Sequence, residues 1–449
     1  MRESTAWVLV SLKDIAEWGS GGTPSRKNAN YYSGNIPWVK TGDLGPRVLN
    51  SSSEHITEEA ITKSSTKFFP KGSVAIAMYG ATIGKTSILG MEATTNQACA
   101  VGNPIDGVTV SEFLYYLLLN ARDSFISLGK GGAQPNISQA LIKDYEVYLP
   151  PLAEQKVITE KLDTLLAQVE TTKARLESTL ETLKQFRQSV LAAAVSGKLT
   201  EDWRGSKTFA SIKTIGSISK DIRYGTSKKC STDIGKIPVL RIPNIGDGKV
   251  SLEDLKYADF EEKELLKLSL QSGDLLLIRS NGSVELVGKN AVISDKEKHC
   301  LFAGYLIRVR LDLRVVDSHY VSLCLRSPQL RQRIELNARS TSGVNNINSK
   351  ELAALEIPLP PLEEQKEIVR RVESLFDSAD ATEQQVNQAL ERVNNLTQSI
   401  LAKAFRGELT EQWRKDNPEL ISGDNSAEAL LKKIKAEREA AKPKRKTNK

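Results

Sequence analysis

Two groups of polar residues in the chain have side chains that suit contact with nucleic acid. Arginine bonds guanine through two hydrogen bonds, asparagine and glutamine bond adenine similarly, and lysine neutralises phosphates. The candidates in the first half are Lys40, Thr41, Asp43, Lys85, Gln134 and Asn136. The candidates in the second half are Arg241, Asn244, Arg279, Asn281, Asn345, Asn346 and Asn348. Each also has a purely structural interpretation, because Asn and Asp shape turns and Lys covers surfaces.

Motifs that would carry catalysis are missing. The segment from Gly80 to Thr86 resembles a phosphate-binding loop, but it has three residues between its glycines where that loop needs four, so it predicts a β-turn. The sequence contains no G-x-S-x-G elbow, no H-E-x-x-H helix and no Asn/Asp-Pro-Pro-Tyr/Phe tetrapeptide. Its 4 cysteines and 3 histidines do not follow metal-ligand spacing. We therefore expect no catalytic centre, no metal site and no cofactor bound by this chain.

Composition narrows the class of partner and the compartment. The 449 residues include 62 basic and 55 acidic ones, which gives a net charge of +7 and suits a polyanionic partner, although many ordinary basic proteins have a similar charge. The scattered cysteines indicate a reducing compartment. Neither a signal peptide nor a membrane span is recognisable, so we expect a cytoplasmic protein.

The sequence contains one long internal repeat. Residues 150–204 recur at 360–414 without a gap, and 22 of the 55 aligned residues are identical, more than shared helical composition explains. Both copies begin with Pro-Pro-Leu-x-Glu-Gln and end with Gly-x-Leu-Thr-Glu-x-Trp-Arg. Such a repeat predicts duplicated domains related by an internal pseudo-twofold.

Each repeat copy carries an apolar stripe with heptad-like steps. The stripe runs from Ile158 to Val190 in the first copy, with Thr172 at one of its positions, and from Ile368 to Ile400 in the second. Each helix is expected to start at its proline pair and to stop at Gly197 or Gly407, a length of ~65 Å. One interpretation is that each stripe packs on its own domain. The other, which we favour, pairs the two helices as an antiparallel coiled coil within the chain.

The predicted fold class is α+β, with two pseudo-symmetric α/β heads separated by the two long helices. The expected segments are 1–149, the first head; 150–204, the first helix; 205–359, the second head; 360–414, the second helix; and 415–449, a basic tail. One apolar helix is expected in each head, from Ser111 (as N-cap) to Leu128 and from Ser318 to Leu336. The sequence of the tail predicts a helix that is capped by Ser426. It also predicts a basic end, which is either solvated or in contact with DNA.

Taken together, these features resemble the specificity subunit (HsdS) of a type I restriction–modification system. The resemblance rests on Ile36-Pro-Trp-Val-Lys-Thr-Gly-Asp43, on Gly132-Ala-Gln-Pro-Asn-Ile-Ser138 and on the two doubled motifs. The second helix and its end, from Arg370 to Thr410, are similar to the enterobacterial type IA subfamily. The resemblance implies that each head is a target-recognition domain for one half of a bipartite duplex and that the helices set the gap.

The same resemblance implies that other chains perform catalysis. These are two modification subunits that use S-adenosylmethionine to methylate adenine N6 and two motor-nuclease subunits that use ATP and Mg²⁺. It places partner contacts at the repeat ends, with Trp203, Arg204, Trp413 and Arg414 as candidates, where the tryptophans are either docking anchors or caps on the coil. Two alternatives remain: a nucleotide-binding protein that uses the loop near Lys85, and a coiled-coil adaptor without sequence-specific DNA recognition.

Overall fold

The structure is a computed structural model that describes residues 6–129, 136–339 and 343–440. It divides into two units. The first contains residues 1–175 and 390–449, and the second contains 176–389. Each unit therefore combines one head with parts of both long helices, and the five segment boundaries drawn from the sequence stay predictions.

The head of the first unit is built from short strands and short helices. In chain order they are β1 (Val8–Ser11), α1 (Leu12–Ile15), β2 (Ala16–Ser20), β3 (Ile36–Val39), β4 (Val48–Leu49), β5 (Glu54–Ile56), α2 (Glu58–Thr62), β6 (Phe68–Phe69), β7 (Val74–Ala77), β8 (Thr86–Leu89), β9 (Ala93–Thr95), β10 (Cys99–Pro104), α3 (Ser111–Asn120), α4 (Arg122–Leu128), α5 (Gln139–Asp144) and β11 (Glu146–Leu149). One sheet has the order β2-β10-β7-β8-β4, a second has β5-β3-β9-β6, and β1 pairs with β11. All four residues of β7 are buried, as expected for an apolar strand inside a sheet.

The repeat folds as two long helices. The first, α6 (Leu152–Ser196), has 45 residues and is followed by the short α7 (Glu201–Arg204). Gly197 and Gly407 have φ of +79° and +80°, the left-handed conformation that ends a helix at little cost to glycine.

The head of the second unit repeats the first in its strand order. Its elements are β12 (Ser211–Thr214), β13 (Ser219–Tyr224), β14 (Ile237–Leu240), β15 (Lys256–Ala258), α8 (Glu262–Leu268), β16 (Leu275–Ile278), β17 (Ser280–Asn281), β18 (Asn290–Val292), β19 (Leu301–Phe302), β20 (Leu306–Leu311), α9 (Ser318–Arg326), α10 (Pro328–Ala338), β21 (Asn345–Asn346), α11 (Ser349–Ala353) and β22 (Glu356–Leu359). The sheets are β13-β20-β16-β18, β15-β14-β19, β12-β22 and β17-β21. The predicted α+β class and the internal pseudo-symmetry are confirmed.

The rest of the chain completes the first unit. The second long helix, α12 (Leu362–Phe405), has 44 residues and leads to α13 (Glu411–Asp416) and α14 (Ala427–Ala440). The predicted cap of the tail helix is confirmed, since Ser426 Oγ accepts a hydrogen bond from Ala429 N at 3.2 Å. Leu431 packs into the core of this unit. The basic run that begins at Lys442 lies outside the described residues. No helix in the described part of the chain is long and apolar enough to cross a membrane.

Within each unit the beginning of one long helix lies beside the end of the other. In the first unit, Ile158 and Leu162 of α6 share a buried core with Leu401 and Ala404 of α12. In the second unit, Val190, Leu191 and Ala194 of α6 share one with Ile368, Val369 and Val372 of α12. The predicted antiparallel course is therefore confirmed in each unit. The stripes also pack on the heads, because the same cores include α3 and α9.

Three local predictions were wrong. The predicted helix from Ser111 divides into α3 and α4, and its N-cap is Val110 rather than Ser111. The counterpart divides into α9 and α10, because Pro328 cannot continue the hydrogen bonding of α9. Thr172 is exposed instead of filling the stripe, and its hydroxyl donates to the Gln168 carbonyl.

Candidate nucleic-acid interface

The first head presents three predicted residues in the turn after β3. Asp43 Oδ2 accepts a hydrogen bond from Lys40 N at 2.8 Å and thereby closes a turn that contains Thr41. Lys40 Nζ lies 2.5 Å from Glu54 Oε1, and Arg26 Nη1 lies 2.7 Å from Glu54 Oε2. Hydrogen bonds from Arg26 and Lys40 lower the pKa of the Glu54 carboxyl to about 2. Glu54 therefore balances part of the positive charge of both cations.

The second head forms the same turn with different side chains. Asn244 Oδ1 accepts a hydrogen bond from Arg241 N at 2.8 Å. Asn244 is fully buried, and its Nδ2 donates to the carbonyls of Ser251 and Glu253 at 3.0 and 2.8 Å. Arg241 Nη2 lies 2.9 Å from Asp254 Oδ2. The Asn244 side chain thus holds the turn together, and Arg241 is the member of the pair that reaches the surface.

Arg279 follows β16 and is held on two sides. Its guanidinium carbon lies 4.5 Å from the ring centroid of Tyr224, and its Nε donates to the Gly304 carbonyl at 2.9 Å. The Tyr224 Oη in turn accepts a hydrogen bond from Ser349 N at 2.8 Å, at the start of α11. No carboxylate among the described residues lies within ion-pair distance of Arg279. The stacking and the carbonyl bond fix the plane of the guanidinium.

A groove of about 690 Å³ connects these two arginines. Its charged lining consists of Lys228, Lys229, Arg241, Lys256 and Arg279, and no acidic residue lines it. Tyr305, which is 62 % exposed, lies at its surface. The groove is therefore a concave, cationic surface that suits acceptor-rich ligands.

Three of the predicted asparagines of the second head lie in the β17–β21 pair, whose Ser280 lines the groove. Asn281 and Asn345 are opposite each other in the β17–β21 pair, Asn345 Nδ2 donates to the Gly282 carbonyl at 2.9 Å, and Asn346 pairs with Ser280. The buried Asn346 Oδ1 has no hydrogen-bond partner within the described structure.

The equivalent segment of the first head shows where the turn caps lie. Asn136 forms a bridge with Tyr79, as Asn346 does with Ser280, so the two asparagines are equivalent. The capping side chains are two residues further on: Ser138 caps α5 and Asn348 caps α11. Gln134 lies outside the described residues.

Lys85 lies in a hairpin that connects two antiparallel strands, β7 and β8. The Gly84 N–H donates to the Ala77 carbonyl and the Lys85 N–H to the Thr82 carbonyl, both at 2.9 Å. A phosphate-binding loop instead joins a strand to a helix and keeps its N–H groups for the phosphates. The predicted β-turn is confirmed, and the Lys85 side chain is exposed.

The repeat ends form a buried polar cluster in the first unit, which we call the first junction: Glu154, Thr410, Arg414 and Trp7. Glu154 is fully buried. Its carboxylate accepts hydrogen bonds from Trp7 Nε1 at 2.9 Å and from Thr410 Oγ1 at 2.6 Å, and it pairs with Arg414 Nη1. Arg414 Nη2 also donates to the Gly407 carbonyl at 2.7 Å.

The second unit contains the equivalent cluster, the second junction: Glu364, Thr200, Arg204 and Phe209. Glu364 is 2 % exposed and accepts from Thr200 Oγ1 at 2.8 Å and Arg204 Nη1 at 2.7 Å. The Arg204 guanidinium carbon lies 5.0 Å from the Phe209 ring centroid. Both arginines proposed for partner contact are thus engaged inside their own unit.

The tryptophans of the repeat ends differ from those arginines in exposure. Trp203 is 49 % exposed, and Trp413 is half-buried with its carbonyl accepting from Asn417 Nδ2 at 2.8 Å. Trp203 therefore has the surface that docking requires, and contact of either tryptophan with a partner stays a prediction.

Several residues at these sites were not anticipated from the sequence. Arg26, Glu54, Tyr224 and Lys256 lie on strands or loops whose pairing register cannot be deduced from a single sequence. The adjacent Lys228 and Lys229, in a Gly-Thr-Ser-Lys-Lys loop, did offer a signal, because paired cations in a loop are typical of anion contact. Across the described ranges, no group of three or more His, Cys, Asp or Glu is placed to hold a metal ion.

The sequence matches a family model, the type I restriction modification DNA specificity domain, at residues 5–182 and again at 208–392. It is 40 % identical over 448 residues to the EcoKI specificity subunit of Escherichia coli strain K12, covering 97 % of this chain and 96 % of that relative. It is 38 % identical to the StySPI specificity subunit of Salmonella potsdam, covering 96 % and 95 % of the two chains.

Two solved structures have a similar fold. One, from a study of complex assembly and conformational transition of the type I R-M system, has a TM-score of 0.70 at 19 % identity and covers 90 % of this chain and 98 % of its own. The HsdS subunit from Thermoanaerobacter tengcongensis has a TM-score of 0.59 at 19 % identity, covering 90 % and 97 %. With both halves matched by the family model and near-complete relatives at this identity, the chain belongs to the family of type I restriction–modification DNA specificity subunits.

Proposed function

We propose that this chain is the non-catalytic DNA-recognition subunit of its complex, in which each head recognises one half of a bipartite duplex target and the long helices set the gap. The observation that carries this proposal is the pair of turns after β3 and β14. In both turns a side-chain oxygen accepts a hydrogen bond from the backbone N–H three residues earlier, yet one turn carries Lys40 and Asp43 and the other carries Arg241 and the buried Asn244. A shared scaffold with different polar side chains is what two independent recognition domains require.

The proposal assigns the chemistry to partner chains. Two modification subunits would supply S-adenosylmethionine-dependent methylation of adenine N6, and two restriction subunits would supply ATP- and Mg²⁺-dependent cleavage. This chain would bind none of these ligands and would act in the cytoplasm, where the DNA is. The hairpin at Lys85 supports this division, since its N–H groups bond to its own carbonyls.

The first arm of the test is reconstitution. The purified chain alone should not methylate duplex DNA, and the same preparation with the modification subunit should methylate adenine. Methyl transfer by a preparation shown to be free of that subunit would contradict the non-catalytic assignment.

The second arm is an exchange of heads. Replacement of residues 1–149 by the corresponding head of the StySPI relative should change one half of the methylated sequence, as mapped by single-molecule sequencing. The other half and the gap should stay as they are. A change in both halves would contradict independent recognition.

A further inference from the structure

The cationic groove of the second head has a counterpart in the first head whose charges differ. The equivalence follows from the backbone: Gly22 N donates to Thr95 O as Thr226 N donates to Phe302 O, both at 2.9 Å. Counting on from Gly22 and Thr226, the residues of the first head that are equivalent to Lys228 and Lys229 are Pro24 and Ser25.

One further position of the groove has the opposite charge in the two heads. Glu54 is opposite Trp38 in the β3–β5 ladder, and Lys256 is opposite Val239 in the equivalent β14–β15 ladder. The same sheet position thus carries a carboxylate in one head and an ammonium in the other.

The position of Arg279 completes the contrast. Ile347 N donates to the Arg279 carbonyl at 2.9 Å, and Ile137 N donates to the Met78 carbonyl at 3.0 Å, so these two residues are equivalent. Met78 is buried in the core of the first head. The groove positions that can be matched between the heads are six: in the second head they carry five cations and one cysteine, namely Lys228, Lys229, Cys230, Arg241, Lys256 and Arg279. The equivalent positions of the first head carry two cations, one carboxylate and three uncharged residues, namely Arg26, Lys40, Glu54, Pro24, Ser25 and Met78.

Three of the groove's cations remain without a carboxylate partner. Lys228 Nζ lies 2.8 Å from Glu264, and Arg241 is paired with Asp254. No ion pair forms between Lys229, Lys256 or Arg279 and any acidic residue that the structure describes. The groove therefore has cationic donors in excess of carboxylate acceptors, which favours a ligand that supplies acceptor atoms.

Arg279 differs from the lysines in being rigidly held. The Tyr224 stack and the Gly304 carbonyl orient the guanidinium, and no carboxylate of the described residues pairs with its Nη groups. A guanidinium with a fixed plane bonds two adjacent acceptors, such as O6 and N7 of guanine or two phosphate oxygens. The long lysine side chains at the rim suit phosphates, which need charge rather than a fixed geometry.

We propose that the groove of the second head binds a guanine edge through Arg279, with Tyr224 as the positioning residue and Lys229 and Lys256 on neighbouring phosphates. This inference rests on the proposed function, because it specifies which base one head recognises. It also makes the two heads unequal, since the first head has Met78 at the position of Arg279 and Glu54 at that of Lys256.

The experiment uses the full chain in complex with its modification subunit. Binding is measured on duplexes that contain the methylation-mapped target and on duplexes in which each guanine of the second half-site is replaced by adenine. Arg279→Lys keeps the charge but removes the two-donor geometry. It should abolish a preference for guanine of about 5-fold to 150-fold at one position. Affinity for an unrelated duplex should stay the same.

Tyr224 tests the positioning role separately. Tyr224→Leu should lower the same guanine preference while Arg279 is intact, and Tyr224→Phe should retain most of it because the ring still stacks. Lys229→Ala and Lys256→Ala should instead weaken all duplexes alike and reduce the slope of log affinity against log salt by about 0.9 each. Arg314→Lys, at an exposed site of the same head outside the groove, is the matched control.

The outcomes separate the inference from the function on which it rests. If Arg279→Lys weakens target and unrelated duplexes by one factor, its partner is a phosphate and the inference is overturned. Unchanged base preferences would overturn it as well. If the wild-type complex itself shows no preferred sequence, the proposed function fails instead.

Discussion

The two junctions are built from nearly the same contacts, whereas the cationic groove of the second head is not preserved at the equivalent surface of the first. Glu154, Thr410 and Arg414 in the first unit correspond to Glu364, Thr200 and Arg204 in the second. The identical residues of the repeat thus include those that hold each unit together. This difference indicates that the buried contacts of the junctions were retained after the duplication, whereas solvent-facing side chains of the heads diverged.

The glutamines next to these glutamates support the same conclusion. Gln155 Nε2 donates to the Val108 and Pro150 carbonyls, and Gln365 Nε2 donates to those of Val315 and Pro360. The Pro-Pro-Leu-x-Glu-Gln motif is therefore explained by hydrogen bonds at the start of each long helix.

The largest effect is expected from removing a junction glutamate. Glu154→Ala leaves Arg414 without its carboxylate partner, and breaking a buried ion pair costs about 3–5 kcal/mol. Amide hydrogen exchange should report this loss of local stability at residues 152–162 and 401–414 of the first unit. Glu364→Ala should do the same at the start of α12 and the end of α6.

Glu160→Ala is the matched control, since this glutamate is exposed on α6, and its effect should stay within about 0.5 kcal/mol. Comparable exchange in Glu154→Ala and in the control would mean that the junction does not fasten the helix ends. Local exchange is the suitable measurement, because a chain of two units need not unfold in one step.

Features that depend on residues close together in the sequence were predictable, and features that depend on contacts between distant parts of the chain were not. The long helices were predictable, because the apolar stripe and the terminal glycines are local signals, and their antiparallel course followed from the pseudo-twofold symmetry of the repeat. The junctions were not, since Glu154 meets Arg414 and Glu364 meets Arg204 only through the register of the helix pair. Arg204 and Arg414 were consequently assigned to partner contact from the motif alone.

The second prediction concerns a hydrogen bond that the glutamate of the first junction accepts and the glutamate of the second does not. Trp7 Nε1 donates to Glu154 at 2.9 Å, and Phe209, stacked near the equivalent arginine, has no donor. Trp7→Phe should therefore make the first junction resemble the second and cost about 1.5–3 kcal/mol, the range for a hydrogen bond to a charged group. Exchange at residues 152–162 is the readout.

Trp203→Phe is the control for the loss of an indole, because Trp203 is 49 % exposed in the second unit. An equal effect of the two substitutions would show that the Trp7 indole contributes through size and not through its hydrogen bond.

The heads were harder to predict than the junctions, for a physical reason that Lys256 and Glu54 illustrate. Their opposite charges become meaningful only once the strand ladders place them at one position. Asn244 shows the converse, because a residue type suited to adenine is fully buried and bonded to backbone carbonyls. Residue type alone does not distinguish a surface donor from a turn-forming side chain, and the local hydrogen bonds do.

The smallest effect is expected from an ion pair at the second junction. Arg371 Nη1 lies 2.7 Å from Asp202 Oδ1. The equivalent residues of the first unit are Lys161 and Gln412, which cannot form an ion pair because glutamine is uncharged. The hydrogen bond from Arg371 lowers the pKa of Asp202 below its ordinary value. A depressed folded-state pKa means that the pair stabilises the protein fully above the unfolded pKa of about 4, and that this contribution is lost as the pH falls below it.

Asp202→Asn should remove that dependence. In hydrogen exchange corrected for intrinsic rates, wild-type residues 362–372 should lose more protection between pH 6 and pH 3 than the same residues of Asp202→Asn. Residues 152–162 of the first unit should respond identically in both proteins. The difference should be smaller than either preceding effect, because solvent screens an exposed pair. If wild type and variant lose protection equally, the Asp202 pair contributes nothing to the stability of the second junction.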